Sequence, residues 1–153
     1  MRIAIFGSMD VPPQEGLEVL HYDIHNYTLD GQYDQIIVAN ALPELHRNKV
    51  IPFLENAYNA LVNRGELILY VPSAEWAAKQ IFTNTADNIT YYMLYGEEAK
   101  PFRACYTMLA LRTLVERVPF VVRSASENIL KISTPEGETV KMPVHAITAV
   151  RND

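Results

Sequence analysis

The chain predicts a Rossmann-like α/β fold: a mostly parallel sheet with flanking helices and antiparallel C-terminal strands. Three observations carry this reading. Ile36, Ile37, Val38 and Ala39 form a short apolar run rich in β-branched residues, the pattern of a strand covered on both faces. Val50, Leu54, Tyr58, Leu61 and Val62 then recur at helical spacing and make one apolar stripe. Gly65 stands where a left-handed residue would cap that helix, and Leu67 to Val71 form a second buried strand stopped by Pro72. Two buried strands joined by a helix make a right-handed βαβ unit. In such sheets ligands bind beyond the carboxyl ends of the strands, so Asn40-Ala41 and Pro72-Ser73 are the positions of interest.

The other elements follow in order. Arg2 to Phe6 is a first strand, and Gly7 to Gly16 is a loop whose prolines and glycines exclude a helix. Leu17 to Ile24 is a second strand, with Leu17 and Val19 on one face and Leu20 and Tyr22 on the other. Thr28 to Gln32 is a turn. After the βαβ unit, Ser73 caps a helix running to about Phe82. Asn84 to Asn88 is polar loop, Thr90 to Tyr95 is β-prone and aromatic, and Gly96 to Phe102 is irregular. Thr107 caps a further helix with Met108, Leu111, Leu114, Val115 and Val118 on one face, and Phe120 begins a strand. Ile129 to Ser133 and Thr139 to Met142 flank Thr134-Pro135-Glu136-Gly137-Glu138, a hairpin signal. Val144 to Val150 is the closing strand.

With 153 residues the chain reads as one domain, residues 1–153. A net charge of −5 with scattered basic residues argues against a nucleic-acid groove, because phosphate binding draws on clustered Lys and Arg. Cys105 is the one cysteine, so neither a disulfide nor a thiolate metal cluster can form within the chain, as suits a reducing cytoplasm. Met1-Arg2 leads straight into a strand-length apolar run, without the pattern of a signal peptide. No apolar segment approaches the roughly 20 residues that span a bilayer. A cytoplasmic location without membrane or nucleic-acid partners is therefore expected.

Several motifs carry a resemblance. Tyr33-Asp34-Gln35-Ile36, Ala41-Leu42-Pro43-Glu44-Leu45 and Asn63-Arg64-Gly65-Glu66-Leu67 through Val71-Pro72 are similar to the second half of class I S-adenosylmethionine-dependent methyltransferases. There an "fD-x-I" strand, a "vLeH" loop, a helix and a "kpGG-x-l-x-i-x-vP" strand follow one another. Leu45 takes the place of that family's His, which here comes one position later as His46, and Glu66 replaces its second Gly. Tyr95-Gly96, Thr107 to Leu114 and Pro119-Phe120-Val121 resemble the family's closing helix and strand. At the front, Ile5-Phe6-Gly7-Ser8-Met9 and Gly16 to Asp23 resemble a compact subgroup of methyltransferases.

The resemblance implies S-adenosylmethionine as cofactor and points to Gly7, Ser8, Met9, Asp23, Asn40 and Ala41 as its binding residues. A glycine at position 7 lets backbone approach the methionine part of the cofactor, or it is an ordinary strand-to-loop glycine. Asp23 reads as an acceptor for both ribose hydroxyls, or as a turn-initiating Asp. Asn40 and Ala41 stand where adenine or the methyl group would lie, and Asn40 equally suits a turn cap. His46 is the candidate general base, its alternative a solvated loop residue. His21, Asp23 and His25 share a strand face but lack a fourth ligand, so no metal is expected. Tyr91, Tyr92 and Tyr95 with Glu97-Glu98 form a packed aromatic edge, the lining of a substrate pocket or a subunit contact.

Only the short loop from Ser8 to Gly16 separates Gly7 from the next strand, which leaves no room for a helix whose N-terminus would face the cofactor carboxylate. Three function classes stand open. The first is methyl transfer to an unidentified small-molecule or protein substrate. The second is a methyltransferase-like interaction or structural protein without catalysis, for example in a bacteriophage virion or its assembly. The third is a nucleoside- or nucleotide-binding module. Oligomeric state is not legible.

Overall fold

The computed structural model describes residues 1–133 and 137–153. Its centre is one six-stranded sheet in the order β2-β1-β3-β4-β6-β5. The strands are β1 (Arg2–Gly7), β2 (Glu18–Tyr22), β3 (Tyr33–Ala39), β4 (Leu61–Pro72), β5 (Phe120–Ser133) and β6 (Thr139–Arg151). The first four run parallel. Strand β6 pairs antiparallel with β4 and with β5, which forms the outer edge. This is the mixed α/β architecture that the apolar runs predict.

Alternation along the strands divides the core into two faces. Ala4, Phe6, Ile36, Val38, Leu67, Leu69 and Ile147 point to one side, where helices α1 (Arg47–Ala60) and α4 (Met108–Glu116) cover them. Phe53 of α1 meets Phe6 edge-on at 5.1 Å between ring centroids. Ile3, Ile5 and Ile37 point to the other side, where Met9, Val11 and Leu17 of the loop after β1 close over them. Farther along that side, α2 (Ala74–Phe82) and α3 (Asn88–Tyr95) pack Ala77 and Met93 against Met142 and Val144. No helix joins β1 to β2, although a parallel crossover usually carries one.

Several boundaries differ from the sequence reading, each for a physical reason. Helix α1 ends at Ala60, not at Gly65, and Val62 lies on β4. The Arg151 guanidinium supplies the C-terminal cap, its Nη1 donating to the carbonyls of Tyr58 at 3.0 Å and Leu61 at 2.8 Å. A cation reaching in from β6 thus satisfies carbonyls that would otherwise need a left-handed glycine. The left-handed residue is Arg64, at φ 66°. Gly65 serves the same tight bend differently: a Cβ there would lie 2.8 Å from the Val62 carbonyl oxygen.

The β-prone stretch Thr90 to Tyr95 is helical. Asp87 and Thr90 form a reciprocal capping box that satisfies the first orphan N–H groups, and buried Met93 anchors the helix to α2 and the sheet. Tertiary packing and the cap outweigh the strand propensity of the tyrosines. Helix α4 stops at Glu116, and Val118 stays buried from the following turn. Ile129 to Ser133 is the end of the long strand β5, and Thr139 to Val150 is one strand that runs through Pro143. The Pro143 carbonyl accepts the Ser73 N–H at 3.1 Å, which ties the strand to the start of α2. Strand β2 is shorter than Leu17 to Ile24 at both ends. Of the expected hairpin turn, Thr134, Pro135 and Glu136 lie outside the described residues.

Candidate functional site

Strands β2, β1 and β3 stop side by side, and a cleft of about 650 Å³ opens beyond their carboxyl ends. It is lined by Gly7, Ser8, Tyr22 and Ala41, by Asp23, His25 and Glu44, and by the loop holding Lys100 and Arg103. Gly7 pairs with Ala39 across the β1–β3 ladder at φ 95°. A Cβ on residue 7 would sit 2.0 Å from the Ala39 carbonyl oxygen, so the fold itself demands glycine there. The Ser8 N–H donates to that same oxygen at 3.3 Å.

Asp23 follows β2 and starts a tight turn. Its Oδ1 accepts the His25 N–H at 3.0 Å, and its carbonyl accepts the Asn26 N–H at 3.1 Å. The turn-initiating role and a place on the cleft wall are therefore both realised. His25 then reaches across to Glu44, Nε2 to Oε1 at 3.1 Å. Glu44 stands in the 3₁₀ turn Leu42–Glu44, which Pro43 opens. Tyr22, which lines the cleft, is hydrogen-bonded through its hydroxyl to that of the buried Tyr33, which does not line it. Burial, then this hydrogen bond, push the Tyr22 phenol up to about 12. It is a neutral hydroxyl at physiological pH.

The sequence-predicted residues thus divide. Gly7, Ser8, Asp23 and Ala41 share the cleft. Met9 lies on the other side of the β1 end, lining a hollow of about 470 Å³ with Asp10, His21, Leu130 and Ile132, because its side chain packs against the loop-covered sheet face. The cleft is left open by Met9 and by Val11, which both pack on that face. Asn40 is only 9% exposed and does not line the cleft. It turns the chain at φ 58°, its Nδ2 donates to the Tyr92 hydroxyl at 2.9 Å, and its Oδ1 is buried with no partner among the described residues. His46 is the exposed N-cap residue of α1, outside the cleft. The strand-end direction carries His25 and Glu44 to the cleft instead, a pair that their 19-residue separation hid from motif reading.

Among the described residues no group of three His, Cys, Asp or Glu side chains could hold a metal ion. His21, Asp23 and His25 do not share a strand face, because β2 ends at Tyr22, Asp23 starts a turn and His25 is turned to Glu44. Tyr91 and Tyr95 are exposed, whereas Tyr92 packs on Phe102 at 5.6 Å and bonds Asn40. No helix among the described residues is long and apolar enough to cross a membrane.

No family model and no curated protein sequence matches the chain. Solved structures do match in shape. A SAM-dependent methyltransferase from Methanosarcina mazei aligns with a TM-score of 0.61 at 13% identity, over 99% of this chain and 92% of that one. The 1,6-didemethyltoxoflavin-N1-methyltransferase of Burkholderia thailandensis, solved with 1,6-didemethyltoxoflavin and S-adenosylhomocysteine, aligns at 0.55 and 12% identity, over 90% of this chain and 52% of that one. TehB from Haemophilus influenzae aligns at 0.52 and 15% identity, over 90% of this chain and 42% of that one. The chain spans about half the length of these last two, or less. Identities this low speak for architecture, and the architecture is the fold of S-adenosylmethionine-dependent methyltransferases.

Proposed function

We propose that the chain binds S-adenosylmethionine in the cleft at the ends of β1, β2 and β3 and methylates an acceptor there. The observation that carries the reading is the cleft itself. It is open, it is large enough for an adenosyl group, and it brings Gly7, Ser8, Asp23 and Ala41 together from three strand ends. Asp23 keeps its Oδ2 free of any partner among the described residues and would hold ribose hydroxyls. Gly7 and Ala41 present little more than backbone and would let the cofactor lie against the strand ends. When bound, the cofactor supplies a methyl group on an activated sulfonium leaving group.

The chain's own task is then positioning and proton handling. Glu44 engages His25 Nε2, which fixes the imidazole and leaves Nδ1 as the acceptor for a proton released by the methylated group. The pair takes the role that the sequence assigned to His46. Isothermal titration with S-adenosylmethionine and S-adenosylhomocysteine tests the reading. Micromolar binding supports it, and no binding of either sinks it.

One set of observations favours a second reading, a methyltransferase-like protein without catalysis. Gly7 is required by the β1–β3 approach, the Ser8 N–H is spent on Ala39, and no helix N-terminus stands after β1. Titration with adenosine separates this from the nucleoside-binding module: a protein retained for its surface binds none of the three compounds.

A further inference from the structure

We infer that Lys100 and Arg103 form the anion-receiving wall of the cleft and take the amino-acid carboxylate of the cofactor, in place of the missing helix after β1. The inference rests on the proposed cofactor reading. It starts from charge within the cleft. Asp23 and Glu44 line it, and both are engaged by His25, the first through the backbone N–H and the second through the ring. Lys100 and Arg103 line the same cleft, and neither side chain has an ion pair or hydrogen bond among the described residues. In a chain of net charge −5, two cations without partners among the described residues line a cleft in which Glu44 and one oxygen of Asp23 are already engaged. An anion is the ligand that such a wall fits.

The loop is built to hold them there. Glu97 and Lys100 exchange backbone hydrogen bonds at 3.3 and 3.1 Å. Gly96 closes this turn at φ 71°, where a Cβ would lie 2.6 Å from the Lys100 carbonyl oxygen. The Phe102 N–H donates to the Tyr95 carbonyl at 2.9 Å, and its ring packs on Tyr92. The Arg103 N–H donates to the Pro43 carbonyl at 2.6 Å. The segment is thus tied at one end to α3 and at the other to the 3₁₀ turn after β3. These ties hold the backbone of both cations at the cleft that Asp23 also lines. A nucleoside whose ribose faces Asp23 and whose tail ends in a carboxylate spans these two sets of groups. The helix that would offer backbone N–H groups and a positive dipole end to such a carboxylate is absent between β1 and β2.

The test is calorimetric, on the full chain, with S-adenosylhomocysteine, which carries the carboxylate, and 5′-methylthioadenosine, which lacks it. The variants are Lys100→Ala/Arg103→Ala and Arg103→Lys. Both side chains are exposed, so the unfolding temperature should not change. The double variant should lose roughly tenfold or more in affinity for S-adenosylhomocysteine and none for 5′-methylthioadenosine, while Arg103→Lys keeps most of the affinity. Unchanged S-adenosylhomocysteine binding overturns the inference but leaves the cofactor reading standing, and so does an equal loss for both compounds. A native chain that binds neither compound overturns both.

Discussion

Replacing Gly7 by alanine should destabilise the chain whether or not it binds a cofactor. The residue sits at φ 95°, a region where a side chain costs about 1–2 kcal/mol. The new methyl would also meet the Ala39 carbonyl oxygen at 2.0 Å, its carbon at 2.9 Å and the Ala41 Cβ at 3.3 Å. That oxygen is backbone of the neighbouring strand and cannot rotate away. Relief requires β1 and β3 to part, an overpacking cost of about 1–3 kcal/mol. The two contributions give roughly 2–5 kcal/mol. With a urea m-value of about 2 kcal/mol/M, the unfolding midpoint should fall by on the order of 1–2.5 M.

Gly16 supplies the control. It is also left-handed, at φ 77°, but a Cβ there meets nothing within 4 Å. Gly16→Ala should therefore show the backbone cost alone, about 1–2 kcal/mol. Equilibrium urea unfolding of both variants, followed by circular dichroism, separates strain from collision. Equal midpoints for Gly7→Ala and Gly16→Ala would falsify the close approach of β1 to β3. The result also governs how function is read. Lost cofactor binding in Gly7→Ala is no proof of a cofactor role if the strand ends have moved.

Three other outcomes are expected. Glu75→Ala should cost about 1–3 kcal/mol in urea unfolding, because Glu75 Oε1 is the partner at 2.8 Å of the fully buried His145, whose Nδ1 has none, and Oε2 accepts the Met108 N–H at 3.0 Å; Glu75→Gln should cost less. Burial alone would raise the Glu75 carboxyl, but the hydrogen bonds from Met108 N–H and His145 outweigh it and hold the group below its ordinary value of 4.5. Its folded value being depressed, its stabilisation is complete above about pH 4.5 and is lost as pH falls through the folded value; Glu75→Gln should flatten the fall of the urea midpoint below pH 4.5, and an unchanged slope counts against the pair. Tyr92→Phe removes the acceptor of Asn40 Nδ2 and leaves both ends of a buried amide unpartnered, a loss of about 1–3 kcal/mol in thermal or urea unfolding. Asp23→Ala should weaken S-adenosylhomocysteine about tenfold, the lower end for a charged hydrogen bond at an exposed site, and equal affinity removes Asp23 from the site.

What was legible in the sequence follows the range of each interaction. The apolar runs of β1, β3 and β4 and the stripe of α1 are local patterns fixed by burial, so the sheet and its parallel order could be read from them. Ser73 and Thr107 each cap a helix through one hydroxyl, to Trp76 and Ala110, and both were legible for the same reason. The end of α1 was not, because its cap comes from Arg151, some 90 residues on. Helix α3 was misread because the tyrosines weigh toward strand, while the decisive signal was the four-residue box at Asp87. In the cleft, the topology pointed to the strand end at Asn40-Ala41, and the family resemblance pointed to Gly7 and Asp23; Gly7, Asp23 and Ala41 line the cleft. The direction of a side chain was not legible: Asn40 turns inward to Tyr92 and His46 stays outside, although both flank the same 3₁₀ turn.

The front of the chain shows how a fold can lose one device and retain a cleft. A ten-residue crossover without a helix still buries Ile3, Ile5 and Ile37, because Met9, Val11 and Leu17 are enough to cover one narrow end of the sheet. Core packing therefore does not require the helix, and only anion binding would miss it. Charge can be supplied from any element that reaches the strand ends, and the segment 96–103 does reach them, anchored at Pro43. A flexible surface loop could not serve, since ordering two long cationic side chains and their backbone would offset most of the gain. The turn at Gly96, the Phe102–Tyr92 contact and the Pro43 hydrogen bond pre-set that order before any ligand arrives. Loosening the loop should therefore weaken an anionic ligand too, though less than removing its charges. Phe102→Ala, which deletes the ring that packs on Tyr92, should lower S-adenosylhomocysteine affinity several-fold in calorimetry while 5′-methylthioadenosine binds as before. Loss of both together would show instead that Phe102 supports the whole cleft.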